Sequence, residues 1–195
     1  MYEVVPMFEF KELKNVKDAR LIVPAVHRDE RGFFLESYKK SDFQKNGISQ
    51  DFVQDNHSKS VRNVLRGLHF QAMPKPQGKL VRVISGSVYD VIVDLRPGSS
   101  TYKKWEGVRL NSSSQELLWV PPGFAHGFLS LKDNTELTYK TTAEYDQTLD
   151  AGVRWNDPVL AIEWPVASPL LSPKDSSLPA LMEILPAKIY KEGVK

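Results

Sequence analysis

The stretch Lys79-Leu-Val-Arg-Val-Ile-Ser-Gly-Ser-Val-Tyr-Asp-Val-Ile-Val-Asp-Leu95 carries two short apolar runs, Leu80–Ile84 and Val88–Leu95, on either side of Ser85-Gly86-Ser87. Runs of this length, rich in Val and Ile, read as strands, and the Ser-Gly-Ser break between them reads as a hairpin turn. Outward from it the pattern repeats at Glu116–Val120, Phe128–Leu131 and Thr135–Thr141, with Gly, Pro, Asn and Ser clusters between the runs. Closely spaced strands without intervening helices predict an all-β sandwich or barrel.

The flanks read differently. A short helix is expected at Ser41–Asn46, with Ser41 as N-cap and Gly47 ending it. Pro158, Pro165, Pro169, Pro173, Pro179 and Pro186 punctuate the C-terminal quarter. Proline lacks an amide donor, so central strands and long helices are disfavoured there. The chain is expected to be a single domain over 1–195, with an N-terminal arm over about 1–30 and a C-terminal arm over about 165–195 carrying one or two helical turns. Exposed β arms leave unpaired edges that favour pairing with a second copy, so a homodimer is expected.

Composition bounds the function. The 195 residues hold 41% hydrophobic and 26% charged side chains, an ordinary globular balance. The absence of cysteine excludes disulfides, thiolate metal sites and a cysteine nucleophile. No apolar run approaches the roughly 20 residues that span a bilayer. The opening MYEVVPMFEF is too short and too acidic for a leader, so a cytoplasmic protein is expected. A net charge of +2 without any block of lysine or arginine gives no nucleic-acid footprint, but it suits a small anionic ligand held by a few cations.

The chain has four histidines, His27, His57, His69 and His126. His69 stands in Asn63-Val-Leu-Arg-Gly-Leu-His-Phe-Gln71. Strict alternation puts Arg66 and His69 on opposite faces, and Gly67 between them is a natural bulge that re-aims one of the two. His126 stands in Val120-Pro-Pro-Gly-Phe-Ala-His-Gly-Phe128, whose Pro-x-Gly-x-x-His is the second signature of the cupin barrel. The first signature of metal-binding cupins needs His-x-His, and His69-Phe70-Gln71 has no second histidine, so no metal is expected. Taken alone, Lys79 and Arg82 read as solvated strand cations, and Tyr139 as a barrel aromatic. Asp175, after Ser172-Pro173, reads as part of a helix start.

Together these segments resemble the dTDP-4-dehydrorhamnose 3,5-epimerase family. The resemblance rests on Asp29–Tyr38, Phe52–Ser60, Val64–Gln71, Gln77–Arg82, Pro121–Phe128, Tyr139-Lys140, Trp155–Asp157 and Glu163–Pro165, in the family's order. It implies a cupin-type β-barrel (jelly roll) with short peripheral helices, a homodimer that exchanges N-terminal strands, and no metal or organic cofactor. The implied substrate is a dTDP-4-keto-6-deoxyhexose, epimerised at C3 and C5 in dTDP-L-rhamnose biosynthesis.

The implied roles are His69 as general base oriented by Asp175, Tyr139 as acid on the opposite sugar face, and Lys79 as enolate stabiliser. Arg31, Glu36, Gln54, Asn56, Arg66, His126, Asp150 and Lys174 would line the substrate site, and Tyr145 would stack on the thymine. Two positions depart from the family: Asp150 stands where a glutamate is expected, and His27 stands where some relatives have an aromatic residue. The chemistry is coherent, because inversion beside a ketone needs a base near neutral pKa, a cation at the developing oxyanion and a donor across the ring. The rivals are a single-site C3 or C5 epimerase, a ketoisomerase on the same barrel, and a non-enzymatic cupin that binds nucleotide sugars.

Overall fold

The structure is a computed structural model and describes residues 6–191. Its strands are β1 (Phe8–Glu12), β2 (Arg20–Pro24), β3 (His27–Asp29), β4 (Gly32–Phe34), β5 (Gln54–Ser60), β6 (Leu65–Gln71) and β7 (Lys79–Ser85). They continue as β8 (Ser87–Asp94), β9 (Trp105–Asn111), β10 (Leu117–Val120), β11 (Phe124–Ser130), β12 (Thr135–Thr141) and β13 (Asp150–Gly152). Helix α1 (Lys40–Lys45) precedes β5, while α2 (Pro173–Ser176), a 3-10 turn (Leu181–Glu183) and α3 (Pro186–Ile189) follow β13.

One sheet runs β1-β2-β10-β7-β12-β5 and the other β13-β6-β11-β8-β9. Every pairing within them is antiparallel. Val81 and Val83 of β7, Leu118 and Val120 of β10 and Leu137 of β12 meet Val88 and Ile92 of β8, Leu110 of β9 and Phe128 of β11 in one buried cluster between the sheets. Each fully buried side chain of this kind contributes about 2 kcal/mol. Two antiparallel sheets closed over such a core make the all-β, cupin-type jelly roll that the sequence predicts.

The outer faces are covered as well. Residues of the C-terminal segment, Leu160, Leu181 and Ile189, pack on Phe70, Val91, Val93 and Ala125. Phe43 of α1 joins Phe8, Ile22, Leu80 and Trp119 on the other side. Burial on both faces explains why β10 reads as a continuous apolar run instead of an alternating one. Asp157, from the Trp155-Asn-Asp157 motif, is buried and accepts backbone N–H bonds from Val159, Leu160 and Leu181 at 2.9, 3.1 and 2.8 Å, which ties the C-terminal segment to the barrel.

Two local expectations are corrected. Ser85-Gly86-Ser87 is not a hairpin turn: β7 and β8 lie in different sheets, and Gly86, at φ +78°, carries the chain across the barrel corner. The apolar faces of the two runs look at each other across the core, which a local reading cannot distinguish from pairing side by side. The first helix begins earlier than expected, at Lys40, with Lys39 as a cap that makes no side-chain bond. Gly47 follows it at φ +83°, a conformation that favours glycine. At the N-terminal side, β1 and β2 are integral to the six-stranded sheet, and the β3–β4 hairpin is exposed at every position.

Candidate active site

Strand register determines which side chains share the barrel interior, because directly paired residues point to the same face. On β6 and β11, His69 pairs with His126 and Arg66 with Phe128, so three steps along β6 match two along β11. The extra residue is a bulge at Gly67-Leu68, and it brings Arg66 and His69 to the same face, as the glycine predicts. Gly67 stands at φ +131°, and a Cβ there would lie 2.5 Å from the Cα of Gly127. On the facing sheet Asn56 pairs with Tyr139, and Gln54 and Lys79 both pair with Thr141.

These strands enclose a cavity of about 260 Å³ lined by His69, Lys79, Tyr139, Gln54, Asn56, Tyr145, Asp150 and Lys174. Phe70, Gln71 and Gln77 complete the wall. A larger groove of about 330 Å³ lies mainly on the outer side of the six-stranded sheet, along Asp55, His57, Arg82, Thr138 and Lys140. The acid–base groups gather in the smaller one.

Asp175 sits behind His69, buried, with Oδ1 2.5 Å from Nε2 of His69. Burial pushes the Asp175 carboxyl up, but bonds from His69 and Ser172, helped by the Gly67 backbone, outweigh it and hold the group below the usual carboxylate range. An ionised Asp175 accepts a hydrogen bond from Nε2–H of His69, which leaves Nδ1 as the proton-free nitrogen. Lys79 is buried, which lowers its pKa to about 8 against the opposing pull of Asp90 and Asp150. Its Nζ lies 3.5 Å from the carbonyl oxygen of His69 and 6.0 Å from the centre of the Tyr139 ring. Burial raises the Tyr139 phenol above its ordinary value, so it stays protonated.

At the mouth, Asp150 Oδ2 accepts from the Tyr145 hydroxyl at 2.9 Å and from Lys174. The backbone N–H of Tyr145 donates to Gln54 Oε1 at 2.8 Å, and Gln54 Nε2 donates to Asn56 Oδ1 at 2.9 Å. His126 is buried beside the cavity, with Nε2 2.9 and 3.1 Å from the two oxygens of Asp90. Besides His126, three predicted substrate residues do not line the cavity. Arg31 is exposed in the β3–β4 turn and paired with Asp29. Glu36 lies 3.9 Å from Lys39, and Arg66 is bound to Ser60 Oγ and the Lys59 carbonyl at 3.2 Å each.

Asp90, Gln71 and Gln77 were not singled out from the sequence. Asp90 left a signal, a carboxylate inside an apolar strand. Gln71 donates to the carbonyls of Lys75 and Glu144 at 2.6 and 3.1 Å and accepts from the N–H of Asp146 at 2.8 Å, fixing two loops at once. Among the described residues, no group of three or more His, Asp or Glu side chains is arranged to hold a metal ion. Among them, too, no helix is long and apolar enough to cross a membrane.

Groups of this kind can remove and return protons, and the barrel that holds them is of the cupin type. Comparison with known proteins narrows the class. The dTDP-4-dehydrorhamnose 3,5-epimerase family profile matches residues 14–183. A dTDP-4-dehydrorhamnose 3,5-epimerase from Methanothermobacter thermautotrophicus is 49% identical over 181 residues, covering 91% of this chain and 97% of that one. The crystal structure of the Bacillus anthracis enzyme with TDP and PPi bound has a TM-score of 0.86 and 48% identity, covering 89% of this chain and 99% of that one. The Legionella pneumophila enzyme in complex with dTDP-4-keto-L-rhamnose has a TM-score of 0.89 and 39% identity, covering 94% and 99%. The chain belongs to the dTDP-4-dehydrorhamnose 3,5-epimerase family and is an isomerase.

Proposed function

We propose that the chain converts dTDP-4-dehydro-6-deoxy-D-glucose to dTDP-4-dehydro-L-rhamnose, inverting C3 and C5 with His69 as the base. The observation that carries this reading is the convergence of His69, Lys79 and Tyr139 on one cavity, with Asp175 behind the histidine. Neutral His69 takes the proton from the carbon beside the C4 ketone, and the electron pair left behind moves onto the C4 oxygen. The Lys79 ammonium stabilises that oxyanion, in a site where burial strengthens the attraction. Tyr139 then delivers a proton to the other face, and its phenolate and the His69 imidazolium return to their starting states by exchange with water. Repeating the cycle at the second carbon completes the reaction.

Binding energy comes from the part of the substrate that does not react. Tyr145 supplies an exposed ring for the thymine, and Lys174 supplies a cation near the mouth. Arg31, Glu36 and Arg66 lie outside the cavity, while Phe33 and Phe34 of the β3–β4 hairpin are 50% and 67% exposed. This favours a homodimer in which each hairpin extends the partner's site. The reaction is cytoplasmic and uses no cofactor in this reading.

The test is incubation of the protein with dTDP-6-deoxy-D-xylo-4-hexulose in heavy water, followed by proton NMR. Deuterium is expected at both C3 and C5. Label at one carbon alone would replace the reading with a single-site epimerase. Nucleotide binding without label would replace it with a sugar-nucleotide-binding cupin.

A further inference from the structure

The base of this site depends on a carboxylate carried by a helix of only four residues, Pro173–Ser176. A carboxylate held by one bond turns freely, since its terminal torsion is broad. Asp175 is held at both oxygens. Oδ1 takes the His69 bond at 2.5 Å, and Oδ2 accepts from the Ser172 hydroxyl at 2.8 Å. The same hydroxyl oxygen accepts the Asp175 backbone N–H at 3.0 Å. One serine therefore fixes both the side chain and the backbone of the residue that orients His69.

Ser172 is itself positioned by the strand that bears the histidine. Just before it, Leu170 donates its N–H to the Asn63 carbonyl at 2.8 Å and accepts from the Leu65 N–H at 3.0 Å. The chain entering α2 is thus laid against the start of β6. Ser172, Asp175 and His69 form a short relay from that anchor to the cavity.

We propose that Ser172 is a positioning residue for catalysis, locking the Asp175 carboxylate so that His69 keeps the tautomer and orientation its role as base requires. The inference rests on the functional reading above. An N-cap serine also stabilises its helix, and glycine separates the two roles: it caps nearly as well as serine but has no hydroxyl to donate. Ser172→Gly is expected to lower kcat for C3 and C5 label uptake about tenfold to a hundredfold, the scale of a slightly misplaced catalytic group, with KM within about twofold. Ser172→Ala is expected to do the same. Ser172→Thr, which keeps the donor, is expected to recover kcat to within about threefold of wild type.

The short His69–Asp175 bond should also give a far-downfield proton resonance, assigned by its loss in Asp175→Asn. That signal is expected to persist in Ser172→Thr and to shift or vanish in Ser172→Gly. Full kcat and an unmoved resonance in Ser172→Gly would overturn the inference and leave Ser172 as a cap alone. If the wild type takes up no label, the functional reading falls, and the resonance still decides whether Ser172 orients Asp175.

Discussion

Lys79 is the residue whose chemistry depends most on its surroundings. On a solvated strand it would be one more surface cation; in the barrel, burial brings its pKa to about 8, with Asp90 and Asp150 favouring its charge and Lys174 opposing it. Activity that needs the ammonium is present below that value and lost as the pH rises through it. The kcat/KM for label uptake should therefore fall above about pH 8. Lys79→Met should lower kcat by roughly a hundredfold to a thousandfold, the cost of removing one oxyanion partner, and should abolish that alkaline limb. A limb that survives the substitution would assign it to another group. Nothing local marks Lys79 as special, because burial is a property of its neighbours; only the family resemblance singled it out.

Among the elements, β6 decides the most. Gly67 inserts one residue into the strand and turns Arg66 and His69 to one side, where Gly127 passes within reach of any added Cβ. Gly67→Ala should destabilise the protein by about 3 kcal/mol, from a strained φ and a backbone clash, measurable as a lowered midpoint in thermal or urea unfolding. Its residual folded fraction should also lose label uptake, because the histidine is re-aimed; a stable and fully active variant would show that the bulge is dispensable. The glycine and its consequence were legible, since in a period-2 strand Arg66 and His69, three apart, share a face only if a residue is inserted between them. The Ser85-Gly86-Ser87 corner reads locally as a hairpin for the converse reason: a strand-to-strand turn and a sheet-to-sheet crossing share the same local residues, and only long-range pairing separates them. In α2 the helix start read at Ser172-Pro173 is present, and Asp175 bonds both to Ser172 and to His69.

On the scale of the whole molecule, the exposed β3–β4 hairpin and its outward Arg31 are the surface that the proposed dimer would use. Sedimentation velocity is expected to give a dimer. Phe34→Asp, placing a charge on the most exposed aromatic of the hairpin, should weaken the dimer or raise the KM for the nucleotide sugar about tenfold without changing the fold. A monomeric wild type with full activity would sink the shared-site arrangement. What the sequence alone determined is the class of fold and the family: short apolar runs without helices between them predict β layers, and the segments around His69, Lys79, His126 and Tyr139 stand in the family's order. Tertiary structure decided the rest, namely which runs share a sheet, that Asp90 faces His126, that Ser172 holds Asp175, and that Arg31 and Glu36 stand apart from the cavity. The physical reason is range. Strand propensity and capping act over a few neighbouring residues, whereas burial, register and hydrogen bonds between residues such as His69 and Asp175, 106 positions apart, exist only once the chain has closed on itself.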